Sequence, residues 1–286
     1  MTKHELEMAK SRVRIVDGQV TVLTDPKIKR CPLRGHLYGC DEESRESVKR
    51  VLEGHIEELG MYTSDRILAS EEDPVSFGAS EMIMNAMHEG LLDAAVTVCE
   101  GVGTVIITRP EVLQAVGAHM TGLLATEPIP ETRKRLMRRG CLALDKKCTI
   151  DQVKGFEMAI RAGHRRVAVT IVGANAREAG KIRDAAKKLK VEVLILAVHN
   201  TGVDKAQAQL LAADCDIVWA CASKEVRETL APTALLQIGT GIPVFALTRF
   251  GKLMVLNRAL QMNDQMLIRR AKLPCLEDDR QPEPLL

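Results

Sequence analysis

Aromatic side chains are almost missing from this sequence: Phe, Tyr and Trp together make up 2% of its 286 residues. Proteins that hold single-stranded nucleic acid stack bases on aromatic platforms, so that device is not available here. A surplus of charge of one sign is missing too. Forty basic residues stand against 38 acidic ones, a formal net charge of +2, and no global field selects a polyanion. Nucleic acid is therefore not an expected partner. No apolar run approaches the roughly 18 residues that a membrane helix needs. The opening stretch "MTKHELEMAKSRVRIVDG" is charged throughout and has no signal-peptide core. A membrane partner is not expected, and a cytoplasmic location is. No Cys-x-x-Cys pair, Gly-x-Gly-x-x-Gly loop or Walker motif occurs, which removes the usual signatures of zinc ribbons, dinucleotide loops and phosphate loops.

What is present is a large apolar fraction, 46%, enough for a substantial core. Eight cysteines in a reducing compartment are not expected to be structural disulfides; they are buried thiols, ligands or reactive groups. Residues 1–30 read as a short helix followed by a hairpin, with Asp17-Gly18 as its turn. "CPLRGHLYGC" (31–40) reads as an irregular loop flanked by cysteines. Beyond it, apolar residues at helical spacing and a terminal glycine mark a helix up to Gly60. In the second half, β-rich apolar runs alternate with amphipathic helices, ending in a long helix from Arg249 to about residue 270 and a frayed tail. The pattern predicts an α/β protein of mostly parallel sheets flanked by helices, in two α/β halves, 1–145 and 146–286, packed around a shared site. The second half is Rossmann-like in its alternation.

In open α/β sheets ligands bind beyond the carboxyl ends of the strands, so the residues after each strand are the candidates. Cys99 and Cys221 each follow a short apolar strand that opens with an aspartate. A helix amino terminus and the neighbouring Lys224 favour the thiolate of Cys221, and His199 after "LILAV" is placed to act as an acid–base partner. Cys99, Cys221 and His199 are the catalytic candidates. Ser80 and Glu81 at a helix start, Asn200, Thr201 and Ser223 after strands, and the cations Lys224 and Arg249 are candidates for binding a small anion. Each also has a plain structural alternative as core packing, an N-cap or a solvated helix residue. Cys31 and Cys40 raise an iron–sulfur site, with Cys99 and Cys221 completing four thiolates, although the spacing fits known cluster motifs poorly.

"CPL" at residue 31, "SFGASEMIMNAMHEGLLDAAVTVCEGVGTVI", "AVHNTG", "ACASKEVRE" and "LLQIGTGIPVFALT" resemble the methanogenesis marker protein 8 family over nearly the whole chain. The resemblance implies a link to coenzyme M metabolism but supplies no mechanism. It also implies shared thiols at Cys31, Cys99 and Cys221. Family members often carry a further cysteine where this sequence has Tyr62, so a cluster would need Cys40 in its place.

Three readings follow. The first is a cysteine-dependent enzyme for thiol or sulfur transfer on a small sulfonate or carboxylate. The second is an iron–sulfur redox or maturation accessory for a methyl-coenzyme M-type system. The third is a non-catalytic assembly protein whose final helix docks a partner; the plain alternative for that helix is docking onto the protein's own sheet or a homo-oligomer.

Overall fold

The computed structural model describes residues 2–119 and 122–286. Two sheets organise the chain. β1 (Lys3–Met8), β2 (Ser11–Val16) and β3 (Gln19–Val22) make an antiparallel meander. β6 (Gly122–Thr126) adds to β1, giving the order β3-β2-β1-β6. The first segment is therefore a strand, not the expected short helix. Its residues are good helix formers, but alternate side chains (His4, Leu6, Met8) face the core, and two strands are on hand to pair with it. α2 (Arg45–Leu59) covers this sheet. A Ser44–Ser47 capping box starts it, and Gly60 stops it at φ 62°, where a Cβ would lie 2.5 Å from the Asp65 carbonyl oxygen.

The larger sheet has eight strands. β4 (Ala94–Cys99), β8 (Arg166–Val172), β9 (Glu192–Val198) and β10 (Ile217–Trp219) form its parallel centre. β5 (Gly103–Ile107) and β7 (Leu142–Ala143) extend it antiparallel beyond β4; β12 (Val244–Ala246) and β11 (Leu236–Ile238) do so beyond β10. The fold is mixed α/β, as the alternation of apolar runs predicts. One sheet, however, runs across residue 145: β4, β5 and β7 come from the first half and the other five strands from the second.

Side chains alternate between the two faces of this sheet. Ala168, Leu194, Leu196, Ile217 and Trp219 join one core; Val167, Val169, Val193, Ile195 and Val218 join the other. On the first face lie α3 (Ala79–His88), α4 (Pro110–Gly117) and α10 (Arg249–Leu260). On the second lie α6 (Gln152–Arg161), α7 (Arg177–Leu189), α8 (Lys205–Asp214) and α9 (Lys224–Leu230). α5 (Pro130–Arg138) packs by β7.

Three further expectations are corrected. "CPLRGHLY" contains a helix, α1 (Pro32–Tyr38), with Pro32 in its first turn and Gly39 closing it at φ 60°. α10 ends at Leu260, ten residues early, since Leu260, Leu267 and Ile268 are exposed and no buried face extends the helix. The tail is not frayed: Gln281 and Pro282 are buried, and Glu283 pairs with Arg30.

Candidate functional site

The parallel centre fixes one edge. β4, β8, β9 and β10 run the same way, so Cys99, Gly173, His199 and Cys221 follow or close their strands along one side of the sheet. Both aspartates that open the cysteine strands are staples at the other side. Asp93 accepts the N–H groups of Arg165 and Arg166. Asp216 accepts the Ile195 N–H at 2.8 Å and the Arg183 guanidinium at 2.7 Å. Arg249 belongs to that other side as well. It follows β12, which is antiparallel to β10, and Thr248 bonds Asp216. The sequence places it after a strand correctly but misjudges the strand's direction.

Cys221 sits in the left-handed backbone region at φ 47°, and His199 does so at φ 53° one strand away. Such φ values are uncommon outside glycine and persist where the surroundings hold them. Here the surroundings are visible. Asn200, fully buried, donates from Nδ2 to the carbonyls of Ala197 (2.9 Å) and Trp219 (2.7 Å), stapling the ends of β9 and β10. Thr201 Oγ1 accepts the Ala222 N–H at 3.2 Å. Asn200 and Thr201 thus build the Cys221 loop. The N–H groups of His199 and Asn200 are in turn directed at the Cys221 thiol.

Burial pushes the Cys221 pKa up, while those two N–H groups and the Arg227 guanidinium pull it back. Arg227 is the cation the sequence reading missed. Lys224, its expected counterpart, is exposed and reaches Glu228 at 3.7 Å. Arg227 lies one turn later on α9 and is almost wholly buried. It donates from Nε to Gln281 Oε1 (3.1 Å), from Nη1 to the carbonyls of Ser223 (2.8 Å) and Ala220 (3.4 Å), and from Nη2 to that of Gly241 (3.3 Å). No carboxylate is among these partners. Burial lowers its pKa to about 10, still charged at neutral pH, and the Cys221 thiolate opposes that fall. Ser223 accepts the Val226 N–H and serves as the N-cap of α9.

The loop of a second thiol, Cys31, is bonded to the same tail segment as the Cys221 turn, through Arg30 with Glu283 and Ala222 with Leu286. A charge on Cys31 raises the pKa of Cys221, so the two sulfurs share one electrostatic environment across 190 residues of chain. Cys31 precedes the first turn of α1 and makes no capping hydrogen bond. The N–H groups of Leu33 and Arg34 nonetheless face its thiol and favour the thiolate, against burial, which raises its pKa. Cys31 and Cys221 are half-buried, whereas Cys40, Cys99, Cys141, Cys148 and Cys215 are buried.

Cys99 shares the sheet edge but not this exposure. Its thiol is fully buried and donates to the Glu100 carbonyl at 3.4 Å. Burial and the neighbouring Glu100 carboxylate both drive its pKa well up. Glu100 pairs with Arg66 at 2.6 Å, both wholly buried, beside Tyr62 and His4. Tyr62, where relatives are expected to carry cysteine, has φ 63° and a buried hydroxyl. Cys40 packs in the core under α2. Among the described residues, no three His, Cys, Asp or Glu side chains are grouped to hold a metal ion, so Cys31, Cys40, Cys99 and Cys221 do not assemble as a four-thiolate site. Ser80 and Glu81 close their own helix start: Ser80 Oγ donates to Glu81 (2.9 Å), and Glu81 accepts the Val75 N–H (3.2 Å).

The exposed His199 also lines a cleft of about 130 Å³ between the sheets, with Lys10, Glu7, Thr201 and Gln207 on its walls. Among the described residues no helix is long and apolar enough to cross a membrane.

Two comparisons place this architecture among known proteins. Residues 4–260 match the family described as "Uncharacterized protein conserved in archaea (DUF2099)". The chain is also 36% identical to "Uncharacterized protein MJ0054" of Methanocaldococcus jannaschii over 288 residues, covering 100% of each.

Proposed function

The chain belongs to this archaeal family, and we propose that it works through a pair of thiols, Cys221 and Cys31, exchanging them with a small anionic thiol or its disulfide. The observation that supports this reading most is that residues 283–286 bond main chain to main chain with Arg30, next to Cys31, and with Ala222, next to Cys221, the two half-buried cysteines outside the tail. His199 and Asn200 supply N–H groups at one sulfur, and Leu33 and Arg34 supply them at the other. The buried charge of Arg227, bonded to carbonyls and an amide, favours both a thiolate and an anionic substrate.

The exchange balances without a further redox partner. The Cys221 thiolate attacks one sulfur of a substrate disulfide; that S–S bond breaks, and the departing thiolate takes up a proton. The Cys31 thiolate then attacks the Cys221 sulfur of the mixed disulfide. The second substrate thiol leaves, and a Cys31–Cys221 disulfide remains. Two electrons pass from the cysteines to the substrate, and the reverse sequence oxidises two substrate thiols. A coenzyme M-like sulfonate as the substrate rests on the resemblance drawn from the sequence.

The test uses Cys31→Ser and Cys221→Ser chains with the disulfide of 2-mercaptoethanesulfonate and with the uncharged 2-hydroxyethyl disulfide, followed by intact mass. The Cys31→Ser chain is expected to stop at one mixed disulfide on Cys221, formed at least tenfold faster with the sulfonate. The Cys221→Ser chain is expected to react slowly. Equal rates at all positions, or label on neither cysteine, contradict the proposal.

A further inference from the structure

We infer that residues 277–286 are a strap that sets the approach of Cys31 to Cys221, so that its closure and the joining of the two thiols favour one another. This rests on the dithiol reading above and says what governs that site. The two thiols lie on unrelated elements: Cys31 on the loop into α1, Cys221 on the turn between β10 and α9. Something must fix their separation, and the strap touches both loops within six residues.

Hydrogen bonds fix its path. Glu277 begins it, with its N–H toward the Thr240 carbonyl. Gln281, buried, donates from Nε2 to the carbonyls of Thr240 (2.6 Å) and Glu277 (3.0 Å), while its Oε1 accepts from Arg227. It thereby holds the guanidinium that faces Cys221. Two residues on, the Glu283 carbonyl accepts the N–H groups of Lys29 (2.6 Å) and Arg30 (3.0 Å), and the Glu283 N–H returns to the Arg30 carbonyl (2.9 Å). The Arg30 guanidinium closes on Glu283 Oε1 and the Asp279 carbonyl, both at 2.8 Å. The next residue in the chain after Arg30 is Cys31. Finally the Leu286 N–H donates to the Ala222 carbonyl (2.8 Å), and the Leu286 carbonyl accepts the Lys224 N–H (2.9 Å). Those two bonds bracket Ser223 and grip the turn that carries Cys221.

Each loop is thus clamped through its main chain to the same short segment. Beyond the buried Gln281 and Pro282, the end of the segment is more open: Glu283 is exposed, Leu286 is half-buried, and neither belongs to a hydrophobic core. Segments of that kind open at low cost in free energy. When the strap opens, the Cys31 loop loses the partner of two main-chain N–H groups. The effective concentration of one thiol at the other falls with it.

The equilibrium constant for the Cys31–Cys221 disulfide is measured in buffers of reduced and oxidised glutathione, for the full chain and for a chain lacking residues 282–286. The overall exchange takes up one oxidised glutathione and releases two reduced ones. The strap predicts a constant at least tenfold lower in the shortened chain, which is about 30 mV for a two-electron couple. An unchanged constant overturns it. Should the shortened chain not fold, amide exchange on the full chain decides. Coupling is reciprocal, so the Glu283, Leu286, Arg30 and Lys224 amides should be at least tenfold better protected in the disulfide form than in the dithiol form. Equal protection in the two forms overturns the strap. A full chain that forms no Cys31–Cys221 disulfide at any glutathione ratio defeats the dithiol reading itself, a different outcome from either.

Discussion

At the scale of single residues, Arg227 carries more of the site than the cysteines' sequence neighbours do. Replacing it by Met removes a buried charge and leaves the carbonyls of Ala220, Ser223 and Gly241 and the Gln281 amide oxygen without their donor. Each orphaned acceptor costs on the order of 1 kcal/mol, so a loss of about 2–4 kcal/mol in urea unfolding is expected. A purely structural loss would leave the chemistry of Cys221 alone. The arrangement predicts instead that the Cys221 pKa rises further, because the cation that opposes its burial is gone. The pH profile of Cys221 alkylation checks this; an unshifted profile confines Arg227 to folding. This residue was poorly legible in "SKEVRETL". Lys224 is nearer to Cys221 in the chain, but position on the helix decides which cation turns inward. Lys224 starts α9 and points to water, whereas Arg227 is one turn on, over the strand end.

At the scale of elements, apolar periodicity revealed the parallel strands β4, β8, β9 and β10 and most helices, since a strand buried on both faces leaves an unbroken apolar run. The same signal could not give strand direction. β12 reads like its neighbours yet runs the other way, and this alone removes Arg249 from the site. α2 and β1 give this scale its prediction. His55 on α2 and His4 on β1 are buried, and His119 beyond α4 lies near His55, ring centroids 5.3 Å apart. All three have lowered pKa values, chiefly through burial; for His55, with His119, Arg34 and Arg66 adding to the effect, the value falls to about 3. Glu100 and Glu127 partly oppose the shift at His4, and Glu72 and Glu58 at His119. The unfolded chain protonates these rings near pH 6.5, while the folded chain holds His55 neutral far below that. Stability is therefore full above about pH 6.5 and falls as the pH drops. His55 alone contributes a slope of about 1.4 kcal/mol per pH unit. Urea midpoints at pH 7.5, 6.5, 5.5 and 4.5 should show the decline beginning between the first two and the third. A His55→Leu chain should lose one proton's worth of that slope, and an identical slope contradicts the assignment.

At the scale of the whole molecule, the proposed site depends on two segments far apart in sequence that are bonded to the same tail residues. The sequence brings Cys99 and Cys221 into view as a pair through their matching contexts, and the sheet does put both at that edge. It separates them by burial: Cys99 is sealed beside the Arg66–Glu100 pair, and the thiol whose charge acts on Cys221 is Cys31. No local pattern could reveal that, because Cys31 arrives by way of α1 and a tail that the composition marked as loose. The resemblance implied shared thiols at Cys31, Cys99 and Cys221; of these, Cys99 is fully buried, and Cys31 and Cys221 are half-buried.

The central claim is that Cys31 and Cys221 are one dithiol. Peptide mapping of protein purified without oxygen, equilibrated with oxidised glutathione and alkylated under denaturing conditions tests it most directly. The account predicts one disulfide joining the peptides that carry Cys31 and Cys221, with Cys40, Cys99, Cys141, Cys148 and Cys215 recovered alkylated. Recovery of Cys31 and Cys221 as separate glutathione adducts, or a disulfide from Cys221 to any other cysteine, contradicts it.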